Sequence, residues 1–418
     1  MGTQSDMRRN FLWNTAGNLT YFACQWALTI LAVRLAGVDA SGIYNTALTV
    51  TNIFLSVASF GMYNFQVSDA QNKYAQTAYV KSRLYTCTLS VVGCLAFVAL
   101  GALTGANPYT LTECVCIALV LLYRLVESVT DVYNAIDQKH GRLDIVGKTY
   151  AARGVISLVT FALGLRITHS MSITLFIMLV GNIAFFVAYT LPKALPFYTK
   201  TSVLRKTVFA LLLECSPLAI YAVLNTTTSS IPKIILGRVL GTTALGIYSP
   251  VTAPVLLLQV GASYLFTPFI TVFSEHFSNK NQKRFLKAVG AVSCMILILL
   301  PVGLLIAQYI GPWGLRTFVS AHVEQYSYLL APMVYAAILT ALVLFFSMVL
   351  TVMRCMRGLI FANIIGIVVA ATVSEPLITA SELQGTTYAS IAALCAQLLC
   401  LIIVGVRKSS SHFADEPM

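Results

Sequence analysis

The sequence has few charged residues. Asp, Glu, Lys and Arg together make up 10% of its 418 residues, whereas 58% are hydrophobic, and the mean hydropathy is +0.80. Soluble domains contain about 25% charged and about 45–50% apolar residues. The composition therefore excludes a water-soluble chain and predicts a membrane protein.

Residue patterns that carry catalysis are also scarce. The five histidines are scattered, and the sequence contains no closely spaced His pair, nucleotide-binding loop or nucleophile elbow. The ten cysteines lie almost entirely in apolar runs and show neither a disulfide framework nor zinc-ligand spacing. The longest predicted outer loop, near 311–327, has fewer than twenty residues. We therefore expect no large extramembrane domain, no enzymatic activity, no catalytic residues, no cofactor and no metal site.

Apolar runs long enough to cross a membrane recur along the whole chain. A span needs about 20 apolar residues. By this criterion the sequence predicts twelve membrane-spanning helices, near residues 11–33, 43–66, 84–104, 112–136, 150–168, 171–191, 208–231, 243–268, 288–310, 328–352, 358–374 and 386–406. Prolines between 217 and 268 and the Thr-Thr-Thr-Ser-Ser run at 226–230 predict local unwinding of the seventh and eighth.

Lys and Arg accumulate on one side of these predicted spans. The segments on that side hold 21 of the 27 basic residues, the opposite segments hold five, and Arg124 lies inside a span. Short loops rich in Lys and Arg stay in the cytoplasm. The distribution predicts that both termini are cytoplasmic. It also attributes the net charge of +12 to membrane topology and not to nucleic-acid binding.

An internal repeat appears when the chain is shifted by 204 residues. RLAGVDASGIY at 34–44 then aligns with RVLGTTALGIY at 238–248, with six of eleven positions identical. Because this offset covers six predicted spans, an even number, the halves are expected to be parallel repeats. The sequence thus predicts an all-α polytopic protein with two six-helix lobes, 1–206 and 207–418, around a central cleft.

The fourth predicted span carries the densest set of ionisable residues. Arg124, Glu127 and Asp131 stand at i, i+3 and i+7, which places them on one helix face. Two interpretations remain open. The stripe is either an internal Arg124–Glu127 ion pair that fixes packing, or the wall of a hydrated cavity. The excess carboxylate favours the second interpretation.

Other ionisable residues lie near the ends of predicted spans. Arg34 and its repeat mate Arg238 could bind phosphate bidentately or could extend to the membrane interface. Lys233 follows a polar stretch and is a candidate to line the cleft. Glu214 could line the cleft as well or could lie near the lipid headgroups. The remaining two, Asp69 and Arg153, are interpreted as boundary residues.

Two stretches of the sequence resemble one family. YRLVESVTDVYNAIDQKHGRLDIVGKTYAARGVISL (123–158) and NFLWNTAGNLTYFACQWALTILAVRLAGVDASGIYN (10–45) are similar to the Wzx-type oligosaccharide flippases of the polysaccharide transporter family. This family is a branch of the multidrug/oligosaccharidyl-lipid/polysaccharide superfamily. The matching positions are Asn14, Asn18, Arg34, Gly42, Glu127, Asp131, Gln138, Arg142, Asp144, Arg153 and Gly154.

The resemblance implies translocation of a polyprenyl-diphosphate-linked oligosaccharide repeat unit across a bacterial cytoplasmic membrane by alternating access, for surface polysaccharide biosynthesis. The expected partners are this substrate, membrane lipid, a coupling proton or sodium ion and the polysaccharide polymerase machinery. The candidate phosphate-binding residues are Arg34, Arg124, Lys233 and Arg238. The candidates for binding sugar are Asn18, Gln25, Asn225 and the Thr226–Thr228 run, with Tyr44, Tyr123 and Tyr248 for stacking. The candidate ion-coupling carboxylates are Glu127, Asp131 and Glu214.

Three alternatives remain open at this stage. A drug or cation antiporter of the same superfamily shares the two-lobe plan, but the basic candidates suit an anionic headgroup better than a cationic drug. A lipid-II-type flippase shares the substrate class, but the twelve predicted spans argue against it. A membrane glycan polymerase or ligase would need a large outer loop, which the sequence lacks.

Overall fold

The helices account for almost all of the chain that the structure describes. The computed structural model describes residues 4–414 except 70, 106–108, 256–257, 260–261, 263–265 and 267–268. Within these residues the regular secondary structure is entirely helical. The α-helices are α1 (Gln4–Ser59), α2 (Met62–Ser68), α3 (Gln76–Thr104), α4 (Leu111–Lys139), α5 (Leu143–Thr168), α6 (Met171–Phe185), α7 (Leu191–Ala194), α8 (Arg205–Val239), α9 (Thr242–Thr252), α10 (Ile270–Ser278), α11 (Gln282–Tyr309), α12 (Leu330–Val352) and α13 (Met356–Ala414).

Shorter helical segments connect some of these helices. Two are π-helices, Phe186–Thr190 and Leu315–Val319. The others are the α-helical turns Gly311–Gly314 and Ala321–Glu324 and the 3₁₀ turns Leu195–Phe197, Ala253–Val255 and Ser327–Leu329. The π-helix Phe186–Thr190 continues α6 directly into α7, so α6 to Phe197 forms one extended helical stretch.

The length and composition of the helices confirm a polytopic membrane protein. In the described part of the chain, eight helical stretches are long and apolar enough to cross a membrane. Two of them, Arg9–Ser68 and Met356–Ser410, contain 60 and 55 residues, and each has a non-helical break, at Gly37 and at Ser381–Glu382 respectively. A span needs about 20 residues, so each has the length for two crossings. The total of twelve and the cytoplasmic termini stay predictions.

The chain divides into two compact units. The N-terminal unit comprises residues 1–226 and the C-terminal unit comprises residues 227–418. The boundary lies within α8, so this helix begins in one unit and ends in the other. The division into lobes at 206/207 stays a prediction.

The predicted repeat extends to an unusual backbone conformation. Gly37 has φ 83° and ψ 175°, and Gly241, which lies at the repeat offset, has φ 83° and ψ 167°. A Cβ atom at either position would meet no heavy atom within 4 Å. The two glycines are therefore required for their positive φ, which other residues rarely adopt, and not for close packing. The same helix break thus occurs at equivalent places in both halves.

The predicted unwinding at 226–230 is wrong. α8 stays helical from Arg205 to Val239, through Pro217 and Pro232. The Thr226 hydroxyl lies 2.9 Å from the carbonyl of Ala222 and 2.7 Å from the Ser56 hydroxyl. Hydroxyl groups in a helix can donate hydrogen bonds to carbonyl groups of the preceding turn, so the helix can continue through this polar run. In the eighth predicted span, α9 gives way to the 3₁₀ turn Ala253–Val255, and part of the span beyond this turn lies outside the described residues.

Helices α1 and α5 pack with almost no space between their backbones. A Cβ atom on Gly147 would overlap the carbonyl group of Trp13, and one on Gly17 would overlap the carbonyl group of Gly147. A Cβ on Gly154 would stand 3.1 Å from Cα of Tyr21. Small residues allow such close approach between membrane helices. This contact sets the position of Tyr21 relative to α5.

We expect Gly147→Val to destabilise the N-terminal unit by about 3 kcal/mol or more, because the new side chain must push the α1 and α5 backbones apart. The measurement is thermal unfolding of the purified protein in detergent. Gly290→Val on α11 is the control, because a Cβ there meets no heavy atom within 4 Å. Equal melting temperatures for the two variants would contradict the close contact.

Candidate functional site in the N-terminal unit

A cluster of charged residues lies inside the N-terminal unit, where α1, α4 and α5 meet. One carboxylate oxygen of Glu127 accepts a hydrogen bond of 2.6 Å from the Tyr21 hydroxyl. The other accepts one of 3.0 Å from Arg124 and lies 3.4 Å from Nη2 of Arg153. The side chain of Arg153 is 1% exposed, and those of Arg124 and Glu127 are each 13% exposed. We call these four residues, with Tyr123, the Glu127 cluster.

Aromatic rings flank both arginines of the cluster. The guanidinium carbon of Arg153 lies 5.6 Å from the ring centre of Tyr21 and 5.9 Å from that of Tyr123. The guanidinium carbon of Arg124 also lies 5.9 Å from the Tyr123 ring. Cations at such distances are attracted by the ring quadrupole. Gln25 donates a hydrogen bond of 2.9 Å to the Tyr123 hydroxyl, which holds this ring in place.

The charges around the Glu127 cluster do not balance. Asp131 accepts a hydrogen bond of 3.2 Å from Tyr150 and lies in the electric field of Arg83 and Arg153. Arg83 is 1% exposed, donates to the Ala58 carbonyl and lies 3.0 Å from the Ser128 hydroxyl. Three buried guanidinium groups therefore face two carboxylates, which leaves one excess positive charge.

The hydrogen-bonding capacity of the arginines is also incompletely used. Nε, Nη1 and Nη2 of Arg153 and Nε of Arg124 have no hydrogen-bond acceptor in the described part of the chain. Buried charged donors without acceptors are costly, and guanidinium groups match the geometry of phosphate and carboxylate oxygens. The arrangement is chemically suited to bind an anion.

The local sequence explains how the cluster forms. The i, i+3, i+7 spacing places Arg124, Glu127 and Asp131 on one face of α4. Gly141, with φ 74°, permits the tight turn that sends α5 back along the bundle. The turn is tied to α1, because Asn10 donates a hydrogen bond of 2.7 Å to the Gly141 carbonyl.

Two interpretations made from the sequence need revision. Arg124 and Glu127 do form the ion pair that one alternative described, but Arg153 shares the same carboxylate. Arg153 was interpreted as a boundary residue, and this is wrong, because its side chain is buried inside the unit. The signal was present in the sequence as the Arg-Gly pair at 153–154, since Gly154 permits α1 to approach next to this arginine.

The other candidate residues of the N-terminal unit lie apart from this cluster or at its edge. Gln25 contacts Tyr123, whereas Asn18 donates a hydrogen bond of 2.8 Å to the Asn14 carbonyl. Arg34 is exposed, three residues before the break at Gly37. Asn225 is partly buried on α8.

The candidate residues of the C-terminal unit do not form a comparable cluster. Lys233 is partly buried on α8, and within the described residues no carboxylate pairs with its ammonium group. Arg238 is exposed near the end of the same helix. Tyr248 is 3% exposed and its hydroxyl lies 3.1 Å from that of Thr387. Like Tyr44 of the N-terminal unit, which is 1% exposed, it offers no free ring face for stacking in this conformation.

Asp69 organises the loop between α2 and α3. Its carboxylate accepts hydrogen bonds from the backbone N–H groups of Lys73 and Tyr74 and from the Tyr79 hydroxyl, at 2.9, 3.2 and 2.9 Å. Burial alone would raise the pKa of Asp69, but these hydrogen bonds outweigh it and lower the pKa below its ordinary value. Because the folded-state pKa of Asp69 is depressed, the hydrogen bonds to its ionised carboxylate contribute stability at neutral pH. This stability is lost as the pH falls through that pKa.

Glu214 pairs with this same loop. Its carboxylate lies 2.5 Å from the Lys73 ammonium group, with side chains 39% and 60% exposed respectively. The hydrogen bond to Glu214 raises the pKa of Lys73. An exposed ion pair of this kind contributes little stability, so it marks a contact between α8 and the loop and adds little to the free energy of unfolding.

The fold is similar to those of solved membrane transporters. It aligns 97% of this chain with 90% of the lipid II flippase MurJ in its inward closed conformation, at a TM-score of 0.70 and 13% sequence identity. It also aligns 95% of this chain with 96% of a multidrug resistance MATE family transporter of the MOP superfamily in its inward-facing conformation, at a TM-score of 0.65 and 10% identity. These solved structures are transporters and not enzymes. At such identities the likeness establishes the fold.

The sequence comparison identifies the family. Residues 7–277 match the family described as "Polysaccharide biosynthesis protein" (Polysacc_synt), and the chain belongs to this family. The capsular polysaccharide biosynthesis protein CapF of Staphylococcus aureus is 24% identical over 287 residues, which cover 67% of this chain and 69% of CapF. These matches confirm the predicted family, and they agree with a multi-pass protein of a bacterial cytoplasmic membrane.

Proposed function

We propose that this protein translocates a polyprenyl-diphosphate-linked oligosaccharide repeat unit from the inner to the outer face of the cytoplasmic membrane by alternating access, coupled to a proton or a sodium ion. Membership of the polysaccharide biosynthesis family and the transporter fold support this proposal. The names of CapF and of the lipid II flippase MurJ point in the same direction.

The observation that carries the proposal is the excess positive charge of the Glu127 cluster. A diphosphate headgroup cannot cross about 30 Å of hydrocarbon unaided, so a flippase must supply cations inside the membrane. Arg124 and Arg153 share the single carboxylate of Glu127. A phosphate oxygen that reaches Arg124 can replace Glu127 as its partner, and Glu127 then pairs with Arg153 alone.

The remaining candidates from the sequence are proposed as further substrate-binding residues. Lys233 is a second cation without a carboxylate partner in the described residues, and Arg34 and Arg238 are exposed cations. Amide and hydroxyl groups for the sugars would come from Asn18, Gln25, Asn225 and the Thr226–Thr228 run, and Tyr123 would support Arg124. The coupling ion would be carried by Glu127, Asp131 or Glu214, although all three accept a hydrogen bond or ion pair in the structure.

An antiporter for cationic drugs is the competing function, because the fold is shared with MATE transporters. Cationic substrates bind to sites with excess negative charge. The Glu127 cluster has the opposite sign, which favours an anionic substrate.

The test of this proposal is mass spectrometry of lipid-linked oligosaccharides from cells depleted of the protein. We expect complete diphosphate-linked repeat units to accumulate on the inner face, and the native chain to restore the normal pool. Complementation by Lys233→Met should restore the normal pool only partly, because the protein then has one cation fewer for the substrate. The control is Lys280→Met, which changes an exposed residue between α10 and α11 and should restore the pool fully. An unchanged lipid-linked pool together with altered drug tolerance would instead support the antiporter.

A further inference from the structure

The C-terminal end of α4 contains two polar side chains that the Glu127 cluster does not use. Asn134 and Asp137 are each 0% exposed. Both carboxylate oxygens of Asp137 and both the amide nitrogen and oxygen of Asn134 have no hydrogen-bond partner in the described part of the chain. Buried polar side chains are normally hydrogen-bonded, so these two need an explanation.

The two side chains are neighbours on one helix. They stand at i and i+3, on adjacent turns of the same side of α4. Asn134 is also seven residues after Glu127, so the pair continues the polar stripe of α4 towards the α4–α5 turn. Short Asp and Asn side chains at this spacing can hydrogen-bond to each other when one of them donates and the other accepts.

The position of Asp137 disfavours a bare negative charge. Asp137 lies in the last turn of α4, which ends at Lys139. The carbonyl groups at the end of a helix carry a partial negative charge, which opposes a carboxylate. An ionised carboxylate without solvent or a partner is also costly to bury. Both effects favour a positively charged ligand at this carboxylate.

The charged groups around Asp137 have other partners. The charges of Arg142, His140 and Asp144 act on its carboxylate, and Tyr189 of the π-helix lies within the electric field of the same group. Arg142 makes two hydrogen bonds to Asp144, at 2.9 and 3.1 Å. The His140 ring stacks on Phe197 with centres 4.8 Å apart, and its Nδ1 lies 2.8 Å from the Ile136 carbonyl. None of these groups hydrogen-bonds to the carboxylate of Asp137.

We propose that Asp137, with Asn134, is a proton-binding site. A hydronium ion gives its proton to one carboxylate oxygen of Asp137, its own O–H bond breaks and a water molecule is released, and the neutral acid then donates a hydrogen bond to the Asn134 amide oxygen. A proton needs only the one carboxylate of Asp137, and no group of three or more His, Cys, Asp or Glu side chains that could hold a metal ion occurs among the described residues. The carboxylate of Asp137 has no hydrogen-bond partner in the described part of the chain, whereas those of Glu127, Asp131 and Glu214 already accept a hydrogen bond or an ion pair.

The experiment is infrared difference spectroscopy of the purified full-length protein in lipid nanodiscs during a pH titration. The native protein is expected to show a carbonyl-stretch band of a protonated carboxylic acid that Asp137→Asn lacks. Asn134→Ala should keep this band but shift its frequency, because the acid loses its acceptor. The matched control is Asp69→Asn, which should keep the band unchanged, because Asp69 already accepts three hydrogen bonds.

A native spectrum that Asp137→Asn reproduces in full would overturn the proposal. Size-exclusion chromatography and thermal unfolding establish that each variant is folded. Asp137→Glu provides a second probe, and it should retain a titrating band, because it keeps a carboxylate at this position.

A role of this proton in transport rests on the proposed function and is measured separately. In proteoliposomes, an imposed pH gradient should increase the rate of flipping by the native protein. In the Asp137→Asn variant this increase in rate should be at least tenfold smaller. Absence of flipping by the native protein would contradict the proposed function and leave the infrared result intact. A pH-accelerated Asp137→Asn variant would contradict the role in coupling alone.

Discussion

Glu127→Leu is expected to lower the free energy of unfolding by about 3–5 kcal/mol, because it removes one partner of a buried ion cluster and leaves the others unpaired. Arg153 is 1% exposed and would lose its only carboxylate within 4 Å among the described residues, and Arg124 would lose its hydrogen bond of 3.0 Å. The measurement is unfolding of the purified protein by heat and by denaturant.

A second substitution distinguishes charge imbalance from lost packing. Glu127→Leu combined with Arg153→Met removes one charge of each sign, and we expect it to recover most of the stability, because apolar side chains of similar size replace buried ion pairs well. The control is Glu324→Gln, which breaks an ion pair of 3.8 Å between Glu324 and Arg316. The side chains of these two residues are 38% and 68% exposed, respectively. This exposed pair should cost less than about 1 kcal/mol. A Glu127→Leu protein as stable as the control would contradict the buried cluster.

Arg153→Met is expected to reduce flipping of the diphosphate-linked substrate by about tenfold to a hundredfold, since a charge-assisted hydrogen bond contributes about 1.5–3 kcal/mol. With Arg153 absent, Glu127 pairs with Arg124 alone, and the excess positive charge that attracts the headgroup is gone. The protein should remain folded, because the remaining two guanidinium groups face two carboxylates. The measurement is the rate of flipping in proteoliposomes.

Conservative variants separate charge from geometry. Arg153→Lys keeps the charge but cannot bond bidentately, so its rate should fall between those of the native protein and Arg153→Met. Arg316→Met removes an exposed arginine and should flip at the native rate. A native rate for Arg153→Met would show that the Glu127 cluster does not bind the headgroup.

The order of the helices could be read from the sequence, because a span must be a run of about 20 apolar residues whatever packs beside it. The predicted span 112–136 became α4, Leu111–Lys139, and 328–352 became α12, Leu330–Val352. The error at 226–230 came from treating a polar run as a helix breaker. Whether such a run unwinds depends on what its hydroxyl groups contact, and here Ser56 of α1 meets Thr226.

The candidate site was only partly predictable. Helical periodicity placed Arg124, Glu127 and Asp131 together because they share one helix. The same periodicity carries no information about α1 and α5, so Tyr21 and Arg153 were missed as partners of Glu127. Asn134 and Asp137 could be placed on the stripe, but only packing reveals that their polar atoms have no partner in the described part of the chain.

The sequence by itself determined that this is an all-helical membrane protein with an internal repeat and a charged fourth helix, because these properties derive from local apolar length, charge placement and helical period. The tertiary structure decided which charges meet. Gly17, Gly147 and Gly154 let α1 and α5 approach closely, and this contact brings Arg153 and Tyr21 to the carboxylate of Glu127. Tyr21 and Glu127 are 106 positions apart along the chain and meet only after packing, so helical periodicity alone could not show that they are partners.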